Sequence, residues 1–172
     1  MSLSLSVDVL GKYKTDIFVE TGTHLGGGIT TALFVGFKDI YSIEIDLNKY
    51  NKIKDLLKYN ESVHLYLGDS KDILPKLLSN LSKERITFFL DAHSDDYNPL
   101  LYELYIIKNS PRNDHIILID DRRMMGNQNY QCWKYITEED VIKTLKEINP
   151  NYNIEYENSF NSLKDIIVAW TP

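Results

Sequence analysis

The 172-residue chain has a single cysteine, Cys132, and that scarcity removes several options at once. No disulfide can form within the chain, and no zinc site built on clustered cysteines is available. Such usage suits a reducing compartment, so a cytoplasmic location is expected. No apolar run approaches the roughly 18–20 residues of a membrane span. The first residues lack a basic stretch followed by an apolar one, so no signal peptide is read. Positive charge is also scarce. Against 25 Asp and Glu stand 19 Lys and Arg, a net charge of −6. Binding through nucleic-acid phosphates needs a basic surface, so a nucleic-acid partner is not expected. The one adjacent arginine pair, Arg122-Arg123, is too little to reverse that reading. There is no internal repeat and no low-complexity linker, and the length fits one domain over 1–172 with a lead-in at 1–14.

What is present is an alternation. Runs at 17–19, 40–45, 63–67, 86–90 and 115–119 are β-branched or aromatic and apolar on both faces. That pattern fits strands covered by helices on each side. Helical spacing fills the gaps at 25–36, 47–59, 71–81 and 99–109. Thr137 to Asp140 reads as a capping box that opens a helix to Ile148, and Asn149-Pro150-Asn151 stops it. Repeated β-α units predict a doubly wound α/β fold with a mostly parallel sheet. Two last strands, 152–157 and 165–170, are joined by a connection too short for a parallel crossover. The seventh strand should therefore run antiparallel. A Rossmann-like sheet with that ending resembles the class I methyltransferase fold.

Residues 16–46 form a strand, a glycine-rich turn, a helix and a second strand ending in acid. Glycines stand at 22, 26, 27 and 28, which is not the dinucleotide G-x-G-x-x-G spacing. Gly22, Gly26 and Gly28 would let the chain turn tightly beside Thr23 and let backbone approach a ligand. Glu20 precedes the first glycine by two residues. An acid there repels a pyrophosphate and suits a cationic or amino-bearing ligand. S-adenosylmethionine, with a sulfonium and an amino group, fits that description. Glu44 and Asp46 end the second strand, where an acid accepts from ribose hydroxyls. Asp46 also reads as a cap for the next helix. Asp69 and Ser70 follow the third strand. Either a carboxylate accepts from an adenine amino group there, or the pair simply caps a helix.

The fourth strand ends in Asp91-Ala92-His93 and the fifth in Asp120-Asp121-Arg122. Ligands of such sheets bind outside the carboxyl ends of the strands. Three acids converging there, Asp91, Asp120 and Asp121, repel one another unless a positive group joins them. A hard divalent cation such as Mg²⁺ would do so and would lower the pKa of a bound oxygen. His93 is then the candidate base. The alternative leaves Asp91 on the cofactor, His93 as a rim residue and no metal bound. His64 and His115 lie within strands and read as structural, and His24 lines the turn. Residues 122–136 form a long irregular stretch whose aromatics and amides suit a sugar, or else pack on the sheet.

Together, Phe18-Val19-Glu20-Thr21-Gly22-Thr23, Ile40-Tyr41-Ser42-Ile43-Glu44, Leu67-Gly68-Asp69-Ser70, Phe89-Leu90-Asp91-Ala92-His93 and Ile117-Leu118-Ile119-Asp120-Asp121-Arg122 resemble a family of small class I S-adenosylmethionine-dependent methyltransferases. The likeness runs over about 16–170. An Asp followed about 30 residues later by Asp-Asp is similar, more distantly, to magnesium-dependent sugar O-methyltransferases. The resemblance implies O-methylation of a sugar or glycan hydroxyl. It implies cofactor contacts at Glu20, Gly22, Thr23, Gly26, Gly28, Glu44, Asp69, Ser70 and Asp91, and metal ligands at Asp91, Asp120 and Asp121. The catalytic pair would be His93 and Asp91. The partner expected is a small-molecule or glycan acceptor, with no nucleic acid and no membrane, and a homodimer is allowed. One departure stands out: the glycine-rich loop after Asp-Ala-His is short here, at 94–99. It favours a second reading, a module that binds the cofactor without turnover. A nicotinamide-dependent oxidoreductase is the third.

Overall fold

The computed structural model describes residues 5–172. The expected lead-in lies outside the described residues at 1–4. Its remainder includes a helix, α1 (Val7–Lys12), capped by Ser6. There follow β1 (Ile17–Thr21), α2 (Gly27–Val35), β2 (Asp39–Glu44), α3 (Leu47–Leu57), β3 (Val63–Leu67), α4 (Ser70–Asn80) and β4 (Ile86–Leu90). Then come α5 (Leu100–Lys108), β5 (Ile116–Ile119), a 3₁₀ turn (Arg122–Met124), α6 (Glu138–Ile148), β6 (Asn153–Glu157) and β7 (Ile166–Trp170).

The seven strands form one sheet in the order β3-β2-β1-β4-β5-β7-β6. β1 to β5 pair in parallel, and β7 runs antiparallel to both β5 and β6. The sequence expectation of a mostly parallel sheet with an antiparallel last strand therefore holds.

Alternation along the strands builds two apolar layers. Ile17 and Val19 of β1, with Phe88, Leu90, Ile117, Ile119 and Ile167, meet α4, α5 and α6 on one face. Phe18, Phe89, Ile116, Leu118 and Val168 meet α1, α2 and α3 on the other. Each such side chain contributes roughly 1.5–3 kcal/mol when fully buried, which is why the central strands read as continuous apolar runs. Short polar residues set where helices begin. Asp46 accepts from the N–H groups of Asn48 and Lys49, Asp69 from Lys71, and Thr137 from Asp140. Each cap is worth about 1 kcal/mol. Among the described residues no helix is long and apolar enough to cross a membrane.

Candidate functional site

Strand order reverses between β1 and β4, and both are followed by loops that part at this point. A cleft of about 810 Å³ opens there, lined from the glycine turn and the ends of β2 and β3 across to Asp120, Asp121 and Arg123. That is within the roughly 300–1,000 Å³ of small-molecule sites.

The turn after β1 is shaped by backbone contacts only glycine permits. Gly22 has φ +85°, and a Cβ on it would lie 2.6 Å from the carbonyl oxygen of Asp91. Its N–H donates to the Ile43 carbonyl at 2.9 Å, and Thr23 N–H to the same oxygen at 3.2 Å. Gly26, at φ +77°, caps α2. Glu20 projects under this turn and is 1% exposed. Ser42 Oγ donates to Glu20 Oε1 at 2.6 Å, and Thr23 Oγ1 lies 2.5 Å from Ser42 Oγ. Burial pushes the Glu20 carboxyl up to about 8, with Ser42 opposing and the Glu44 charge adding to the rise. Among the described residues no cationic side chain pairs with it.

Strand alternation puts Glu44 in the cleft lining. Its Oε2 accepts from His24 N–H at 2.7 Å and its Oε1 from Asp46 N–H at 2.9 Å. Each oxygen keeps a second lone pair for a ligand hydroxyl. Asp46 is taken up as the α3 cap, so Glu44 is the acid that faces the cleft. Asp69 does cap α4, yet it also accepts from Tyr97 Oη at 2.9 and 3.1 Å and lies 3.2 Å from Lys71 Nζ. Ser70 is the first helical residue, not the cap, and is buried. The short loop produces the Tyr97 contact. Ser94 N–H donates to the Tyr97 carbonyl at 2.8 Å, and Tyr97 N–H to Ser94 Oγ at 3.2 Å.

At the other end of the cleft, His93 Nε2 lies 2.8 Å from Asp121 Oδ2. The imidazole also meets Trp133 edge-on, with ring centroids 5.5 Å apart. Asp121 holds a left-handed backbone at φ +60°, an uncommon state for a residue other than glycine. Its N–H donates to Asp120 Oδ1 at 2.8 Å. Asp91, Asp120 and Asp121 do not close into one ligand set. Among the described residues the sets that close are Asp91–His93–Asp121 and Asp120–Asp121–Asp165, each with candidate ligand atoms within 4.8 Å of one another. Arg123 sits within the second. Its Nη2 lies 2.8 Å from Asp121 Oδ1, and its Nη1 donates to Asp165 Oδ2. Burial disfavours the guanidinium charge, but Asp121 and Asp165 outweigh it and raise the pKa. The Asp165 side chain is fully buried. Removing the partner of such a charge costs about 3–5 kcal/mol. The exposed Lys38–Asp16 pair, at 2.6 Å, belongs to a class worth at most about 1 kcal/mol.

No protein-family model matches the chain, and no curated protein matches it in sequence. Solved structures do. CalS11, a calicheamicin methyltransferase, superposes with a TM-score of 0.66 at 13% identity, over 95% of this chain and 76% of that one. A SAM-dependent methyltransferase from Aquifex aeolicus gives 0.59 at 14%, over 98% and 89%. MycE, a mycinamycin-pathway methyltransferase in complex with Mg and SAH, gives 0.59 at 13%, over 90% and 44%. The chain has the class I methyltransferase fold.

Within that methyltransferase fold, the sequence motifs at 20–28, 44, 69–70, 91–93 and 120–121 all border the one cleft. Besides Tyr97 and Lys71, four contributors escape sequence reasoning. Arg123 was visible only as half of an arginine pair. Asp165, Ser159 and Asn161 come from the β6–β7 connection, and the last two line the cleft. The signal for them was the hairpin itself, because an antiparallel β7 starts at the rim where parallel strands end. Among the histidines, His64 stacks on Tyr41 at the sheet edge, and His24 lines the cleft. His115 is 2% exposed and accepts from Ile86 N–H at 3.2 Å; burial drives its pKa down to about 4. In the 122–136 stretch, Trp133 packs in the core at 4% exposed, whereas Tyr135 is 80% exposed.

Beneath the cleft floor Glu103 of α5 is 1% exposed. Burial pushes its carboxyl up to about 7 against the pull of the Ser70 and Thr21 hydroxyls. Among the described residues these hydroxyls and both Glu103 oxygens are buried without a closed hydrogen bond.

Proposed function

We propose that this chain is an S-adenosylmethionine-dependent methyltransferase acting on a hydroxyl of a sugar or glycan. One observation carries the reading: Glu20, a buried carboxyl with no cationic partner among the described residues, and a histidine–carboxylate pair, His93–Asp121, face the same cleft in this fold. The first suits a cationic donor and the second suits a hydroxyl acceptor.

The residues present fit the cofactor. Without side chains, Gly22 packs directly on the Asp91 backbone and Gly28 on the Glu20 carboxyl, so the turn closes tightly around Glu20 at the cleft. Glu44 would take the ribose hydroxyls and Asp69 the adenine end, where Tyr97 and Lys71 already orient it. S-adenosylmethionine supplies, when bound, a methyl on a sulfonium, an electrophile that leaves S-adenosylhomocysteine once an oxygen has taken it. The chain's own task is to place that oxygen and take its proton. Asp121 orients His93 so that its other ring nitrogen can accept the hydroxyl proton as the new C–O bond forms. Asp91, Ser159 and Asn161 add polar groups to the same cleft, as hydroxyl recognition requires. The fold neighbours support the sugar assignment, since CalS11 is described as a TDP-rhamnose 3′-O-methyltransferase.

Titration calorimetry with S-adenosylmethionine and S-adenosylhomocysteine tests the donor. Saturable binding of both is expected, and no binding of either sinks the reading. Methyl transfer from labelled cofactor to a panel of nucleotide-linked and free sugars tests the acceptor. The short, self-bonded 94–99 loop favours one competing reading, a binding module. Tight cofactor binding with no transfer to any hydroxyl acceptor would establish it.

A further inference from the structure

The acidic rim that invites a divalent cation already contains a positive charge from the chain itself. Asp121 gives Oδ1 to Arg123 Nη2 at 2.8 Å and Oδ2 to His93 Nε2 at 2.8 Å. Asp165 accepts the Arg123 backbone N–H on Oδ1 at 2.9 Å and its Nη1 on Oδ2. Both oxygens of both acids thus face nitrogen donors. Each set of ligand atoms that closes in this rim passes through Asp121. A Mg²⁺ ion demands oxygen ligands at roughly 2.0–2.1 Å in a near-octahedral shell. To enter either set it would displace the imidazole or face the guanidinium across a shared carboxylate. Two cations at one carboxylate repel, and the guanidinium is fixed by a second, fully buried acid. The donor set does not fit a resident divalent metal.

We propose that Arg123 is the resident cation of this site: it neutralises Asp121 and Asp165, holds Asp121 as the partner of His93, and takes the place a divalent metal would need. Arg123 is a positioning residue, acting on the acceptor end through Asp121. Its role toward His93 rests on the proposed methyl transfer, whereas the charge arrangement can be tested without any cofactor.

The test is a Mn²⁺ titration followed by electron paramagnetic resonance on the cofactor-free protein. Wild type and Arg123→Lys are expected to show no saturable Mn²⁺ binding. Arg123→Gln leaves the acids uncompensated and is expected to gain saturable binding, about tenfold or more above the wild-type signal. Adding Asp121→Asn to Arg123→Gln should remove that gain. Saturable binding by wild type that Asp121→Asn abolishes overturns the proposal. So does a folded Arg123→Gln protein that gains no Mn²⁺. If Arg123→Gln does not fold, the wild-type and Arg123→Lys titrations decide. S-adenosylhomocysteine affinity, measured on the same wild-type sample, reports separately on the donor reading; its absence would defeat that reading and leave the Mn²⁺ result standing.

Discussion

A Cβ on residue 28 would lie 1.8 Å from Oε2 of Glu20, so the buried carboxyl occupies the space that the missing side chain of Gly28 leaves free. Glycine here is a packing requirement, since residue 28 is inside α2 and does not carry a left-handed backbone. Gly28→Ala should therefore expel or rotate Glu20. Alanine favours helix by about 0.8–1.0 kcal/mol, so the helix itself should survive. The expected result is S-adenosylhomocysteine affinity weakened about tenfold or more with far-UV circular dichroism unchanged. Unaltered affinity in calorimetry would show that the Glu20 position does not matter to the ligand.

Glu20 also predicts a proton count. Its carboxyl is pushed up to about 8, so in the free protein at pH 7 it mostly holds its proton. A cationic ligand favours the ionised form. Binding at pH 7 should release a proton, seen as a heat of binding that changes with the ionisation enthalpy of the buffer. Glu20→Gln should lose that dependence and bind more weakly. Equal buffer dependence in both proteins would remove Glu20 from the donor site.

For the acceptor end, His93→Gln should lower methyl transfer about 10²–10⁴-fold while leaving S-adenosylhomocysteine affinity within about twofold. Asp121→Asn should lose less, because it misorients the base and does not remove it. A parallel loss of cofactor affinity would instead place His93 at the donor.

The strands could be read from sequence because β1, β4 and β5 are apolar on both faces, and only a sheet covered on both sides asks for that. The hairpin could be read because its connection is too short to cross over. The helix α1 could not. It spans six residues, with Val9 and Leu10 buried and Gly11 within it, too short a stretch to show a period. In the site, the acids were legible one by one at strand ends, but their partnership was not. Arg123 and Asp165 are 42 residues apart, and only the sheet order brings the start of β7 against the turn after β5. Sequence spacing pointed to Asp91, Asp120 and Asp121 as a group, whereas the pairing of Asp121 and Asp165 with Arg123 appears only in the fold.

Glu103 predicts how stability varies with pH. Its folded value is about 7, above the ordinary carboxylate value of 4.5, so the native state keeps the proton longer than the unfolded chain. Stability from this group is then full below about pH 4.5 and falls as pH rises towards about 7. Glu103→Gln removes the titration. Its melting temperature should exceed wild type at pH 8 and approach it at pH 5. A difference that does not change with pH would mean that Glu103 is ionised in the folded protein.

Because β7 lies between β5 and β6 yet follows both in the chain, neither of those strands can complete its pairing in the sheet before β7 is made. Until residues 166–170 emerge from the ribosome, β5 has an open edge of Ile116, Ile117, Leu118 and Ile119, every one buried in the finished sheet. An unpaired apolar edge is a template for pairing with other chains. The same late insertion brings Asp165 to Arg123. The step that hides the sticky edge is thus also the step that brings Asp165 to Arg123, and a nascent chain cannot have the second without the first.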